Sequence, residues 1–182
     1  MGKTSTHRSP YLLLDTCVIL EAHRLGVWDL LVRNHSLAVP AAVVAETIQQ
    51  CREEKFDDIR VCLEEQIRQG LVHEPSLPLS DLRIVTERSG LKFRGAMDTG
   101  EQECLACLLH GKYECSGVCS SDRVVFRYLG WIREPERGVS LEEILERMGA
   151  PRKLAHKLTK EFRLRWSQRG FQEAFQSGMI HL

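Results

Sequence analysis

The sequence predicts an α/β domain with a short parallel sheet, followed by a helical C-terminal segment. Short apolar runs alternate with segments of helical spacing from residue 11 to residue 133, which is typical of repeated β-α-β units. The length of 182 residues suits one domain with a small appendage. Its 43% hydrophobic and 27% charged residues are typical of a globular protein. No apolar run reaches the roughly 18 residues of a membrane span, so we expect no membrane partner.

The predicted strands are short apolar runs. Residues 11–14 end at an acidic residue, and such a run favours a strand that is buried in a parallel sheet. The pair at 131–132 is predicted as a last strand at the edge of the sheet. The predicted strands cover residues 11–14, 37–39, 71–73, 116–119 and 131–132.

The predicted helices begin and end at recognisable residues. Apolar spacing over residues 17–33 is interrupted at Gly26, which predicts two short helices. Pro40 favours the start of the next helix, because its fixed φ suits the first turn and no N–H is needed there. Ser140 begins a capping box in a region that is helical beyond Gly138. The other predicted helices cover residues 57–69, about 80–88, 98–110 and 122–129.

The seven cysteines predict a cytoplasmic protein with free thiols. Their number is odd, and several lie within apolar patterns, which is unlike a secreted disulfide framework. A zinc site is the alternative interpretation, with ligands at Cys104, Cys107, Cys115 and Cys119. We favour free thiols, because the first pair falls within a predicted helix and the last cysteine ends a predicted strand.

Five acidic residues follow the predicted strands or begin the predicted helices. The carboxyl ends of parallel strands lie along one edge of a sheet, where ligands bind, so we expect several of these acids to converge there. Like charges at short range disfavour ionisation, and a hard divalent cation with oxygen ligands offsets this repulsion. The sequence therefore predicts a Mg²⁺ or Mn²⁺ site. The predicted ligands are Asp15, Glu46, Asp98, Glu101 and Asp122.

Four segments around these acids resemble, in order, the four acidic motifs of PIN domains. The resemblance covers roughly residues 10 to 133. The segments are Leu-Leu-Leu-Asp15-Thr-Cys-Val-Ile-Leu, Val-Val-Ala-Glu46, Asp98-Thr-Gly-Glu101 and Ser120-Ser121-Asp122-Arg.

The resemblance implies a Rossmann-like three-layer α/β/α sandwich and a metal-dependent endoribonuclease. It places a PIN-like catalytic domain over residues 10–135. The residues on either side predict a flexible tail over 1–9, which is polar and basic, and a helical extension over 136–182 that packs on or beside the domain. Ser120 matches a hydroxyl residue that supports the fourth acid in relatives. The implied catalytic residues are Asp15, Glu46, Glu101 and Asp122.

Each acidic motif also has a structural interpretation. Asp98 and Glu101 fit a capping box, and Asp122 with the serines before it could cap the next helix. The third motif also offers Glu103 as a ligand. We favour Glu101, because Glu103 lies about 200° away from it around the helix.

The C-terminal segment is basic while the rest of the chain is acidic. Residues 151–182 hold seven Lys or Arg against Glu161 and Glu173, whereas the preceding residues hold 18 basic and 23 acidic side chains. Such a segment is either a helix with a solvated basic face or a strip that contacts RNA phosphates. A homodimer or an antitoxin-like protein is a further candidate partner. The predicted RNA-binding residues are Lys153, Lys157, Lys160 and Arg163.

Three functions are considered for this sequence. The favoured one is a Mg²⁺- or Mn²⁺-dependent endoribonuclease, with the toxin of a toxin–antitoxin pair as one form. A PIN-like scaffold that binds RNA or protein without cleavage is the alternative. A haloacid-dehalogenase-like phosphatase also has an acid after its first strand, but it needs a second Asp at the position of Cys17.

Overall fold

A five-stranded parallel sheet forms the centre of the protein in a computed structural model that describes residues 9–178. The strands pair in the order β3-β2-β1-β4-β5, and every neighbouring pair is parallel. The predicted α/β class is confirmed, and the arrangement is compatible with a three-layer α/β fold. The strands are β1 (Tyr11–Leu14), β2 (Leu37–Ala38), β3 (Val72–His73), β4 (Cys115–Cys119) and β5 (Gly138–Val139).

Helices connect the strands of this sheet, as β-α-β units require. Within residues 9–178 there are nine α-helices and three short 3₁₀ helices. The α-helices are α1 (Thr16–Arg24), α2 (Trp28–Asn34), α3 (Ala41–Glu54), α4 (Asp57–Arg68), α5 (Arg83–Ser89), α6 (Thr99–His110), α7 (Arg123–Trp131), α8 (Leu141–Arg147) and α9 (Lys160–Gln176). The 3₁₀ helices cover Gly90–Phe93, Pro135–Arg137 and His156–Leu158.

The central strand β1 explains the acid that follows its apolar run. It lies between β2 and β4, and Leu13 and Leu14 are fully buried there. The strand stops at Asp15, whose side chain accepts a hydrogen bond from the N–H of Val18 and so caps α1. Asp15 therefore lies at the carboxyl edge of the sheet.

The prediction of an edge strand at 131–132 is wrong. Trp131 is the last residue of α7, is 5% exposed, and packs edge-on against Phe93 with ring centroids 6.0 Å apart. The apolar pair fits the buried face of an amphipathic helix as well as it fits a strand. The edge strand is β5, in which Gly138 pairs with Val118 of β4.

The segment predicted as a C-terminal extension contributes to the core of the fold. It supplies β5 to the sheet and α9 to the outer side of α7. The two helices meet backbone to backbone at two glycines. A Cβ at Gly130 would lie 1.9 Å from the Ser167 carbonyl oxygen, and one at Gly170 would lie 1.9 Å from that of Arg127. Only glycine permits this approach.

The predicted tail over residues 1–9 lies outside the described residues except for Ser9, which is exposed. Within residues 9–178, no helix is both long enough and apolar enough to cross a bilayer.

Candidate metal centre

A small cleft of about 80 Å³ lies at the carboxyl edge of the sheet, beyond the ends of β1 and β4. Carboxylates from four separate parts of the chain line this cleft, which we call the acidic cleft. All five residues that the sequence predicted as metal ligands are among them. They are Asp15, Glu46, Asp98, Glu101 and Asp122.

Asp15 is held by three donors at the base of the acidic cleft. Its Oδ1 accepts a 2.8 Å hydrogen bond from the N–H of Val18. Its Oδ2 accepts from the Ser120 hydroxyl at 2.6 Å and from the N–H of Ser121 at 2.8 Å. Burial raises the pKa of Asp15 and the charge of Asp122 adds to this, while the three hydrogen bonds act in the opposite direction. The carboxyl group of Asp15 is therefore fixed in position.

Ser120 links the first and fourth acidic motifs. Its hydroxyl donates to Asp15 and accepts a 2.9 Å hydrogen bond from the N–H of Asp122. Asp122 in turn caps α7, because its Oδ1 accepts from the N–H of Val124 at 2.6 Å. The capping interpretation of Asp122 is thus confirmed, and the capping residue also faces the acidic cleft.

Asp98 and Glu101 form the predicted capping box at the start of α6. Asp98 accepts from the N–H of Glu101 at 2.8 Å, and Glu101 accepts from the N–H of Asp98 at 2.9 Å. The pKa of Glu101 is raised to about 8, first by burial and then by the charge of Asp122. Negative charge is therefore crowded in the acidic cleft, and a cation would relieve this crowding.

Glu46 reaches the acidic cleft from the second turn of α3. Its Oε2 accepts a 3.0 Å hydrogen bond from the Thr16 hydroxyl. A Cβ at Gly100 would lie 3.3 Å from this oxygen and 3.5 Å from Oδ1 of Asp98. The missing side chain of Gly100 leaves these two carboxylates room to face each other. Thr16 and Gly100 could not be predicted as site residues, because neither residue type indicates a partner so distant in the chain.

Glu103, the alternative third ligand, does not line the acidic cleft. Its side chain is buried, and its Oε2 accepts a 2.6 Å hydrogen bond from the N–H of Ala42. Glu103 lies on α6, and its carboxylate contacts the first turn of α3. There it accepts from an N–H that has no partner within the helix, and its negative charge interacts favourably with the helix dipole. Glu103 therefore has a structural role, whereas Asp98 and Glu101 of the same motif line the cleft.

The donor atoms of the acidic cleft are of the types that bind a hard divalent cation. Carboxylate and hydroxyl oxygens are the ligands that Mg²⁺ and Mn²⁺ prefer. The carboxylates are turned toward local donors, and within residues 9–178 no three His, Cys, Asp or Glu side chains form a group that could hold a metal directly. Mg²⁺ usually takes one or two carboxylates and keeps several waters, so its binding does not require a cage of protein ligands.

The alternative zinc site finds no support in the described part of the chain. All seven cysteines are free thiols, and the metal-holding groups that a zinc site needs are absent from residues 9–178. Burial raises the pKa of Cys107 to about 12 and that of Cys115 to about 11. These thiols are therefore protonated at neutral pH.

Three of the four predicted RNA-binding residues are exposed. Lys153, Lys157 and Lys160 lie on the surface between α8 and the start of α9. The Nζ of Lys157 is 3.7 Å from Sγ of Cys17, a residue that lines the acidic cleft. Lys157 therefore lies beside a residue of this cleft, and the two together line a neighbouring pocket.

The prediction that Arg163 binds RNA is contradicted by its surroundings. The side chain is buried, and it makes two hydrogen bonds of 2.7 and 2.8 Å to the carboxylate of Glu143. A paired and buried guanidinium is not available to a phosphate. Arg163 instead joins α9 to α8.

Models of known protein families give no match to this chain, and no curated protein matches it. A functional assignment thus depends on the geometry of the acidic cleft and of the surfaces around it.

Proposed function

We propose that this protein is a Mg²⁺- or Mn²⁺-dependent endoribonuclease with a PIN-like α/β/α fold. The observation that carries the proposal is the convergence of five acidic side chains on one cleft at the carboxyl edge of a parallel sheet. Ligands bind at this edge in open α/β folds. The order of the acidic motifs, which resembles that of PIN domains, supports the same activity.

The residues of the acidic cleft divide into two roles. Asp15, Glu46 and Asp122 would hold the cation, directly or through water, and Glu101 would orient the attacking water. A bound Mg²⁺ or Mn²⁺ would supply Lewis acidity and favour deprotonation of that water. The water oxygen bonds to phosphorus as the bond from phosphorus to the 3′ oxygen breaks. The leaving oxygen takes up a proton, so the products are a 3′-hydroxyl and a 5′-phosphate.

Two substitutions test the activity. Asp15→Asn keeps the size of the side chain but removes its charge, so cleavage of mixed RNA in Mg²⁺ or Mn²⁺ should be abolished, as it should be in EDTA. Glu46→Gln gives a second test that does not threaten folding, because Glu46 is exposed. The control is Glu87→Gln, an exposed glutamate of α5 outside the cleft. Full activity of both cleft variants, or activity in EDTA, would falsify the proposal.

A second candidate is an inert PIN-like scaffold that binds RNA or protein. It is favoured by the local hydrogen bonds of the cleft carboxylates and by the lack of a metal-holding group within residues 9–178. Binding of RNA with no cleavage in either cation would support this candidate over the nuclease.

The resemblance also motivates the proposal of a cytoplasmic toxin with an antitoxin-like partner. Expression in a bacterium should then arrest growth, and the Asp15→Asn variant should not. Equal growth with both proteins would refute the toxin proposal but would leave the nuclease proposal to the cleavage assay.

A further inference from the structure

A large groove begins at the acidic cleft and follows the contact between α7 and α9. Its volume is about 800 Å³, and Asp122 lines both the groove and the acidic cleft. The groove is basic, in contrast to the cleft, because four arginines line it. They are Arg123, Arg127, Arg165 and Arg169.

Two of these arginines are paired with a carboxylate within the fold. Arg127 and Arg169 bond to opposite oxygens of Glu173 at 2.6 and 2.8 Å. Lys92 also approaches Glu173, at 3.3 Å. Burial opposes the charge of Glu173, but these cationic donors outweigh burial and lower its pKa. This cluster ties α9 to α7 and forms one wall of the groove.

The other two arginines lack a carboxylate partner among the side chains that the structure describes, and both are exposed. Both lie over the ring of Trp166, with guanidinium carbons 5.6 Å (Arg123) and 5.9 Å (Arg165) from its centroid. Such cation–π contacts orient the two side chains while their N–H groups remain free for anions.

Trp166 is the accessible tryptophan of the protein. The chain has three, and Trp28 and Trp131 are only 2% and 5% exposed. Trp166 is half-buried and lines the groove. The partly exposed indole, with the guanidinium groups of Arg123 and Arg165 over its ring, places an aromatic side chain next to positive charge.

We propose that this groove binds single-stranded nucleic acid, with Arg123 and Arg165 on its phosphates and Trp166 stacked on a base. Guanidinium groups suit phosphates, and aromatic side chains stack on bases of any sequence. The bases of a duplex are already stacked on one another, so this arrangement selects single strands. The proposal rests on the nuclease function, since the groove would deliver a strand to the acidic cleft at Asp122.

The intrinsic fluorescence of Trp166 tests the proposal without any cleavage. The full chain is titrated in EDTA with a short single-stranded oligoribonucleotide, with an abasic strand of equal length and with a duplex. We expect saturable quenching by the single strand. The abasic strand should bind without quenching, and the duplex should quench less. Equal quenching by the abasic strand would remove base stacking from the proposal.

Substitutions test the phosphate contacts and the base stacking separately. Binding is measured by the fluorescence anisotropy of a labelled oligoribonucleotide. Arg165→Ala should lower the slope of log affinity against log salt by about 0.7, the value for one lost phosphate contact on a single strand. The control is Arg33→Ala, an exposed arginine of α2 that lines a different pocket, and it should leave the slope unchanged. Trp166→Ala should weaken binding roughly 5- to 100-fold, and Trp166→Phe should retain most of the affinity.

The outcomes separate this proposal from the nuclease proposal. RNA binding with quenching but without cleavage in Mg²⁺ or Mn²⁺ would support the groove and overturn the nuclease. Cleavage without quenching, together with equal salt slopes for the Arg165 and Arg33 variants, would overturn the groove and leave the nuclease. Failure of any oligoribonucleotide to bind would also overturn the groove.

Discussion

Ser120 donates a 2.6 Å hydrogen bond to Asp15 across 105 positions of sequence. The bond joins the residue after β4 to the residue after β1. Both strand ends border the acidic cleft. The hydroxyl also accepts from the N–H of Asp122. The side chain of Ser120 therefore connects Asp15 with Asp122 and helps to fix their positions relative to each other. Replacement of Ser120 should therefore affect the cleft as a whole.

Ser120→Ala should destabilise the protein and raise the pKa of Asp15 further. The change leaves a buried carboxylate without one of its donors, which costs about 1.5–3 kcal/mol for a charged group. Urea unfolding at neutral pH measures the loss. Ser116→Ala is the control, because Ser116 lies on β4, the strand that precedes Ser120, but is exposed and donates to the carbonyl of Tyr11. Equal stability of the two variants would show that Ser120 does not support Asp15.

Much of the fold could be predicted because its periodicity is local. The apolar run at 11–14 and the break at Gly26 depend only on neighbouring residues, and the structure places β1 and the α1–α2 junction there. The edge strand β5 could not be predicted this way. It has only two residues, and Gly138 fits because a Cβ there would lie 3.0 Å from the ring of Phe126.

The sequence predicts which acidic residues line the cleft, but it does not predict the hydrogen bonds that these residues make. The order of acids after strands indicates which carboxylates converge. It does not indicate that Thr16 bonds to Glu46 or that Glu103 turns to Ala42, because such partners depend on how α3 and α6 pack. In the same way, the basic composition of the C-terminal segment does not show that Arg163 is buried and paired with Glu143 while Lys157 is exposed.

Gly170→Ala should strongly destabilise the protein, although alanine favours a helix. The new Cβ would lie 1.9 Å from the carbonyl oxygen of Arg127 and 2.9 Å from the backbone nitrogen of Trp131. These are backbone atoms of α7, so the clash can be relieved only if one helix shifts away from the other. We expect a loss of at least about 3 kcal/mol in urea unfolding, with α9 displaced from α7. Gln176→Ala, an exposed position of α9, is the control and should change stability little. Similar values for both variants would contradict the close approach of the helices.

Stability should fall at acid pH through His23. Its ring stacks on Trp28 at 4.7 Å, its Nε2 is buried without a hydrogen-bond partner within residues 9–178, and burial lowers its pKa to about 4. The unfolded chain takes up this proton near pH 6.5, so it binds more protons than the folded chain between these values. Stability from this group is complete above about pH 6.5 and is lost as the pH falls toward 4.

His23→Phe should remove this part of the pH dependence while keeping the stacked ring. The ring is only partly buried, so we expect the native protein to lose about 1–2 kcal/mol more than the variant between pH 6.5 and 4.5. Unfolding by urea at both pH values measures the difference. His156→Phe, at an exposed position, should behave like the native protein. Parallel losses in the native and His23→Phe proteins would rule out His23 as the source.

Arg163→Met should cost stability rather than RNA affinity. Burial alone would raise the pKa of Glu143, but hydrogen bonds from Arg163 and Ser140 outweigh burial and keep it lowered. Loss of the guanidinium leaves Glu143 charged and buried, at a cost of about 3–5 kcal/mol. A variant that also carries Glu143→Gln should recover part of this cost, because the buried charge is then absent.

The control for Arg163 is Arg24→Met, which breaks the exposed pair with Glu21 and should cost less than about 1 kcal/mol. Urea unfolding and RNA binding across salt concentrations are measured for each variant. The structure predicts a large loss of stability for Arg163→Met and an unchanged salt slope. A variant of native stability whose salt slope falls by about 0.7 would instead make Arg163 a phosphate contact, because such a slope reports the loss of one phosphate contact.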